Sequence, residues 1–165
     1  MIAHFNRLRG SLAFSRRDPR DVSRTHSATT GRGFMENIMS IPSLYERLGG
    51  VYNIAVVVDD FIDRVMDDPR LNANPKVDEA HHRVSRQGFK YLVTEMVCWA
   101  TGGPQKYSGK SMYDSHAHLD ITEGEWQSFI DDFTQTMNRF QVPTAERAEL
   151  RAIIESTKKD IVLAK

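Results

Sequence analysis

At 165 residues the chain is long enough for one domain with a hydrophobic core and too short for two ordinary ones. Its 40% apolar and 27% charged composition is that of a globular protein, and no run approaches the roughly 18 continuous apolar residues of a membrane span. The net charge of zero hides an asymmetry, because residues 1–34 carry seven arginines against Asp18 and Asp21; the acidic remainder, with no aromatic-interleaved basic stripe, gives a nucleic acid little footing.

Cys98 is the only cysteine, so intramolecular disulfides and cysteine-clustered zinc or iron–sulfur sites are excluded. A reducing, cytoplasmic setting suits this without following from it.

Residues 1–40 read as a basic extension, rich in Arg, Ser, Thr and Gly and without sustained apolar periodicity up to residue 38. Such a composition buries too little surface to offset its ordering entropy, which predicts disorder. Two other readings stay open: an organellar transit peptide, and an upstream start with the domain proper beginning at Met35 or Met39. Residues 41–165 then form the folded domain.

Within it, Ser43 and Glu46 have the spacing of a capping box, Leu44 and Leu48 lie four apart, and Gly49-Gly50 stops a short helix. Ile54, Val57, Val58, Phe61, Ile62 and Val65 make one apolar stripe on a helix ending near Asp68-Pro69. Leu71 to Gln87 shows no clean period and reads as a loop with at most a helical turn. A third helix carries Phe89, Leu92, Val93, Met96, Val97 and Ala100 and is broken by Gly102-Gly103-Pro104. After the loop GGPQKYSGKS, Met112 to Leu119 reads as a short helix containing His116. Thr122 and Glu125 form a second capping box opening a helix with the stripe Trp126, Phe129, Ile130, Phe133, Met137 and Phe140. A last helix follows Pro143, its core face supplied by Leu150, Ile153, Ile154, Ile161 and Val162. Five or six helices without a hairpin signal predict an all-α domain.

The segments SLYERLGG, VVVDDF, TGGPQKYSGKSM and SHAHLDIT together resemble the group I truncated hemoglobins across roughly residues 43–163. The resemblance implies a two-over-two globin sandwich enclosing one heme b, with the helix before Gly-Gly-Pro on the distal side. It places the proximal iron ligand four residues after the methionine that follows the Tyr-x-Gly turn, which here is His116 after Met112. Taken alone, a histidine is far more often a packed or partly exposed residue than a ligand. A neutral imidazole is nevertheless the axial donor that heme iron takes in globins, leaving the sixth position for a diatomic gas. His118, about 200° further around a helix, reads as a surface residue. The same register puts Tyr107, Met112, Ile121, Trp126 and Ile154 against the porphyrin, although each is also explicable as core. Lys106 and Lys110 read as solvated loop lysines that could reach propionates.

The distal side departs from the family. The position that usually carries a tyrosine after the Phe61 equivalent holds Ile62, and the paired phenylalanines that follow align with Asn74 and Pro75. About six inserted residues precede the distal helix, and Phe89 and Val93 fall where polar residues are common, so Phe61, Ile62, Phe89, Val93 and Met96 would make an apolar pocket. Such a site favours carbon monoxide or nitric oxide over oxygen. His81 or His82 is a candidate sixth ligand, with a solvated loop pair as the plainer reading, and Lys90 is expected on the outer face of its helix.

The implied activity is reversible gas binding. Nitric oxide dioxygenation or a peroxidase-like side activity would need an unidentified reductase. The competing reading is a heme-less helical module that binds a protein or a small apolar ligand. A hydrolase or transferase finds no motif in the chain.

Overall fold

The computed structural model describes residues 41–163; the extension, with its expected disorder, lies outside them. By its contacts the chain divides into Met1–Ser40 and Ile41–Lys165, and the helices below all belong to the second unit.

Helix α1, Leu44–Arg47, opens on the Ser43 box: the Glu46 amide donates to Ser43 Oγ at 3.2 Å and the Ser43 amide to Glu46 Oε2 at 2.8 Å. Gly49 and Gly50 then take φ of +84° and +77°. A side chain at Gly49 would meet Asn53 Nδ2 at 2.1 Å, so the turn that separates α1 from α2 requires glycine there. Helix α2, Gly50–Asp67, buries Ile54, Val58, Phe61, Ile62, Val65 and Met66 at helical spacing. Ile62 is 1% exposed, and full burial of such a side chain contributes about 1.5–3 kcal/mol.

The stretch Leu71 to Gln87 is helical rather than a loop. Helix α3 spans Pro69–Asn72 and helix α4 spans Pro75–Arg83. Each begins in the same way, with an Asp68 or Asn74 side chain accepting the amide two residues on, at 2.8 and 3.0 Å, and with proline at the first helical position. Proline in that position sacrifices no hydrogen bond, so the dipeptides that look like breakers are starts.

Helix α5, Arg86–Ala100, is capped by Ser85 and closed at Thr101. Helix α6 is shorter than expected, Met112–His116, with a turn carrying the chain on to Leu119. Helices α7, Glu123–Arg139, and α8, Thr144–Ile161, follow, the former opened by the Thr122–Glu125 box. Among the described residues the only strand-like pairing is an isolated parallel bridge, Ile121 to Val162.

Helix α2 packs along α5 and α7, and α6 lies against α8. One core cluster centres on α2 with Phe133 and Met137 of α7; a second joins Trp126 and Ile130 of α7 to Ile161 of α8. Ion pairs seal the edges of α2: Asp60 accepts from Arg64 at 2.9 Å, from Thr136 Oγ1 at 3.0 Å and from Arg139. Lys90, expected on a solvated face, instead reaches Asp59 at 2.6 Å and Asp63 at 2.9 Å.

One buried joint is short of protons. Asp68 and Asp132 are 7% and 5% exposed, and Arg70 bonds Asp68 at 2.8 Å and Asp131 at 3.0 Å while standing 3.7 Å from Asp132. Asp132 Oδ2 has no donor. Burial, and then the negative Asp68 beside it, push the Asp132 carboxyl up to about 6, while Asp68, despite its burial, is held below the usual value by Arg70. A carboxyl raised on folding contributes stability when protonated and loses it as pH rises through the folded value. Asp132→Asn, whose amide can donate to Asp68, is therefore expected to raise stability at about pH 8, with the gain shrinking towards zero at about pH 4. Urea unfolding across that range measures it; a pH-independent difference would contradict the buried-acid assignment.

Candidate functional site

The loop leading to His116 is built on close approaches. Tyr45 donates its amide to the Thr101 carbonyl at 2.9 Å, and a side chain on Gly103 would meet the Tyr45 ring at 2.6 Å and the Cys98 carbonyl at 2.7 Å. Further on, Tyr107 donates its hydroxyl to the Lys110 carbonyl at 2.9 Å, and its ring covers Gly109. Ser111 then caps α6 by accepting the Asp114 amide at 3.0 Å.

On α6, His116 is half-buried and its Nδ1 lies 2.7 Å from the Met112 carbonyl, one turn back. A carbonyl only accepts, so Nδ1 carries the proton and Nε2 presents a lone pair. Burial lowers the His116 pKa, against the Met112 carbonyl and with help from His118, which favours the neutral imidazole. His118 itself is exposed.

Met112 packs against the Trp126, Ile130 and Ile161 cluster, together with Ile121, Phe129, Ile154 and Val162. Ile121, Phe129 and Ile154 also pack against the larger cluster, which holds Phe61 and Ile62 and is flanked by Phe89, Val93 and Val97. The two clusters thus meet along a half-buried apolar seam. Its centre is Phe129, 5.2 Å from the Phe61 ring and 5.6 Å from Trp126. Phe129 lies in the expected core stripe, one turn from Trp126 and Phe133, and its place between the two clusters makes it a further candidate for the site.

The other expected residues fall as follows. Met96 is half-buried on α5. Tyr107 is half-buried, with its hydroxyl committed to its own turn. Lys106 and Lys110 are exposed. Asn74 and Pro75 start α4, and Asn74 Nδ2 donates to the Leu119 carbonyl at 3.0 Å. The two histidines of that helix are not a solvated loop pair: His82 is exposed, but His81 is half-buried with Nδ1 2.8 Å from Asn72 Oδ1. His81 borders a hollow of ≈ 350 Å³ lined by Met66, Asp67, Asn72, Asp78, His82 and Arg86, none of them on the apolar seam.

A profile of the bacterial-like globins matches residues 43–163. The chain belongs to that family. It is 27% identical over 120 residues to the group 1 truncated hemoglobin of Tetrahymena pyriformis, an alignment covering 73% of this chain and 94% of that one. It is 30% identical over 116 residues to a group 1 truncated hemoglobin of Synechocystis sp., covering 67% and 88% respectively. In three dimensions it resembles the crystal structure of the T. pyriformis truncated hemoglobin in its Fe(III) form, with a TM-score of 0.64, 26% identity, and coverage of 75% of this chain and all of that one. The 2/2 hemoglobin of Synechococcus sp., solved in the cyanomet state with covalently attached heme, shares the fold at a TM-score of 0.65 and 22% identity, over 73% of this chain and 98% of that one. The domain of this truncated hemoglobin is thus the two-over-two helical sandwich.

Gly109 gives a direct test of the loop. Its added Cβ would lie 2.3 Å from the Tyr107 hydroxyl and 2.4 Å from Cζ. Gly109→Ala is expected to lower stability by about 1–2 kcal/mol in the natural chain and by much less in a Tyr107→Ala background. Denaturant midpoints of the four proteins check this; equal losses in both backgrounds would remove the ring as the cause.

Proposed function

We propose that this truncated hemoglobin binds heme b through Nε2 of His116 and takes up a diatomic gas on the opposite face, against an apolar wall. The observation that carries the reading is the 2.7 Å bond from His116 Nδ1 to the Met112 carbonyl, which fixes both tautomer and ring orientation. The donor set fits the group: one neutral imidazole on a short helix beside a half-buried seam of Ile121, Phe129 and Ile154, with Met112 and Trp126 behind it. Bound heme supplies the iron on which the gas is held.

The distal wall is formed by Phe61 and Ile62 of α2 with Phe89, Val93 and Met96 of α5. The threonine hydroxyls of α5 and its cap are already committed, Thr94 to the Lys90 carbonyl at 2.8 Å and Thr101 to the Val97 carbonyl at 2.7 Å. A hydrogen bond to a partly charged bound oxygen is worth about 1.5–3 kcal/mol, roughly one to two decades of affinity. Carbon monoxide and nitric oxide depend on it less, so the site favours them.

Purified protein with hemin should show a heme absorption band that His116→Ala loses, with a high-spin ferric spectrum at neutral pH, since His81 is engaged with Asn72 outside the seam. Absence of a His116-dependent band would sink the ligand assignment. Ile62→Tyr should slow oxygen dissociation by about tenfold to a hundredfold in stopped-flow traces. Slow release from the natural chain would remove the apolar-wall reading.

A further inference from the structure

The loop that carries the chain to His116 is fastened to the opposite side of the seam by a carboxylate whose role nothing in the apolar wall requires. Glu95 lies on α5, the helix of Phe89, Val93 and Met96, one turn beyond Tyr91. Its Oε2 accepts from Ser108 Oγ at 2.5 Å and from the Ser108 amide at 3.3 Å. Ser108 stands between Tyr107, whose hydroxyl closes on Lys110, and Gly109, which lies under the Tyr107 ring. From Lys110 the chain passes through the Ser111 cap straight into α6 and His116. The remaining described ties of the loop run to its own helix end, Gly103 N–H to the Cys98 carbonyl at 2.7 Å, and to α1 through Gln105 and Tyr45 at 3.5 Å. Glu95 thus fastens the middle of the loop to α5.

These donors hold Glu95 ionised, since hydrogen bonds from Ser108 first and Tyr91 second lower its pKa. A carboxylate receiving both the backbone amide and the hydroxyl of one residue is more directional than a single surface contact. The bond joins α5, which carries Phe89 and Val93 to the core, to the loop that leads into α6, so it couples the two mechanically.

We infer that Glu95, through Ser108, is a positioning residue for the proximal histidine, setting the loop and hence the His116 imidazole against the heme. The inference rests on the heme reading above. Removing the strap leaves the ligand and the apolar wall in place but frees the segment that aims the ligand.

The test uses the full chain with hemin, comparing the natural protein with Glu95→Ala, Glu95→Gln, Ser108→Ala and the double Glu95→Ala/Ser108→Ala. Two readouts report on the proximal side: the iron–histidine stretching band of the ferrous protein by resonance Raman, and the rate of heme transfer to excess apomyoglobin. Both alanine variants should shift the band and speed heme loss by about threefold to tenfold, the modest range reflecting an exposed strap. The double variant should be no worse than either single one, and Glu95→Gln, which keeps an accepting carbonyl, should recover much of the natural behaviour. Hydrogen exchange of residues 104–111 in the heme-free chain should quicken in the alanine variants. Natural protein that holds heme through His116 while both single variants match it in band and transfer rate would overturn the inference alone. Natural protein that takes up no heme would overturn the heme reading and the inference with it.

Discussion

A histidine offers a lone pair in a fixed direction only when its other nitrogen is tied down, and here that tie is internal to a helix of five residues. His116 donates from Nδ1 to the carbonyl one turn back, so ring orientation depends on where α6 lies. A helix this short has little stability of its own. Its position is set by what holds its two ends: the Ser111 cap and the glycine-rich loop before it, the Leu119 turn and the Thr122 box after it. The precision of the site therefore depends on loop chemistry more than on the large helices.

The loop in turn depends on α1. Gly103 and Gly50 both lie close to Tyr45, whose amide holds the Thr101 carbonyl and whose hydroxyl accepts the Val51 amide at 3.1 Å. Arg47 adds bonds of 2.7 Å to Glu146 and Glu149 of α8. A four-residue helix thus pins the end of α5, the start of α2 and the start of α8, which explains why a segment too small to matter energetically occupies the junction of the sandwich.

What the sequence made legible and what it hid have a common physical origin. Stripes such as Ile54 to Val65 and Trp126 to Met137 repeat the helical period because one face meets the core, and the two capping boxes mark the starts of α1 and α7 with local bonds. His116 was singled out only through the family resemblance, which sets the ligand four residues after Met112; its bond back to the Met112 carbonyl is what the structure adds. The helices α3 and α4 escaped because they bury little, chiefly Leu71 and Val77, and so have too few apolar positions to show a period. Their signal lay in Asp68-Pro69 and Asn74-Pro75, which read as turns unless the aspartate and asparagine are recognised as caps. The partners of Lys90 and His81 were hidden for a different reason: pairing of Lys90 with α2 and of His81 with α3 is decided by how elements pack, which spacing along one helix does not encode. Phe129 was hidden because a residue shared by two clusters looks, in sequence, like any other core position.

The two sides of the proposed heme site are not independent. Where the resemblance leads one to expect phenylalanines against a porphyrin, this chain has Asn74 and Pro75, which begin an additional helix instead. That helix is anchored by Asn74 Nδ2 on the Leu119 carbonyl and by the Lys76–Asp120 ion pair, so it rests on the turn immediately after His116. These positions therefore supply a polar brace on the turn that follows His116. An imidazole whose helix is braced from α4 as well as from its own loop can keep its aim without those rings pressing on the cofactor. Asn74 and Pro75 in place of those rings are thus compatible with the proposed ligation by His116, and membership of the globin family favours a heme protein over a heme-less module.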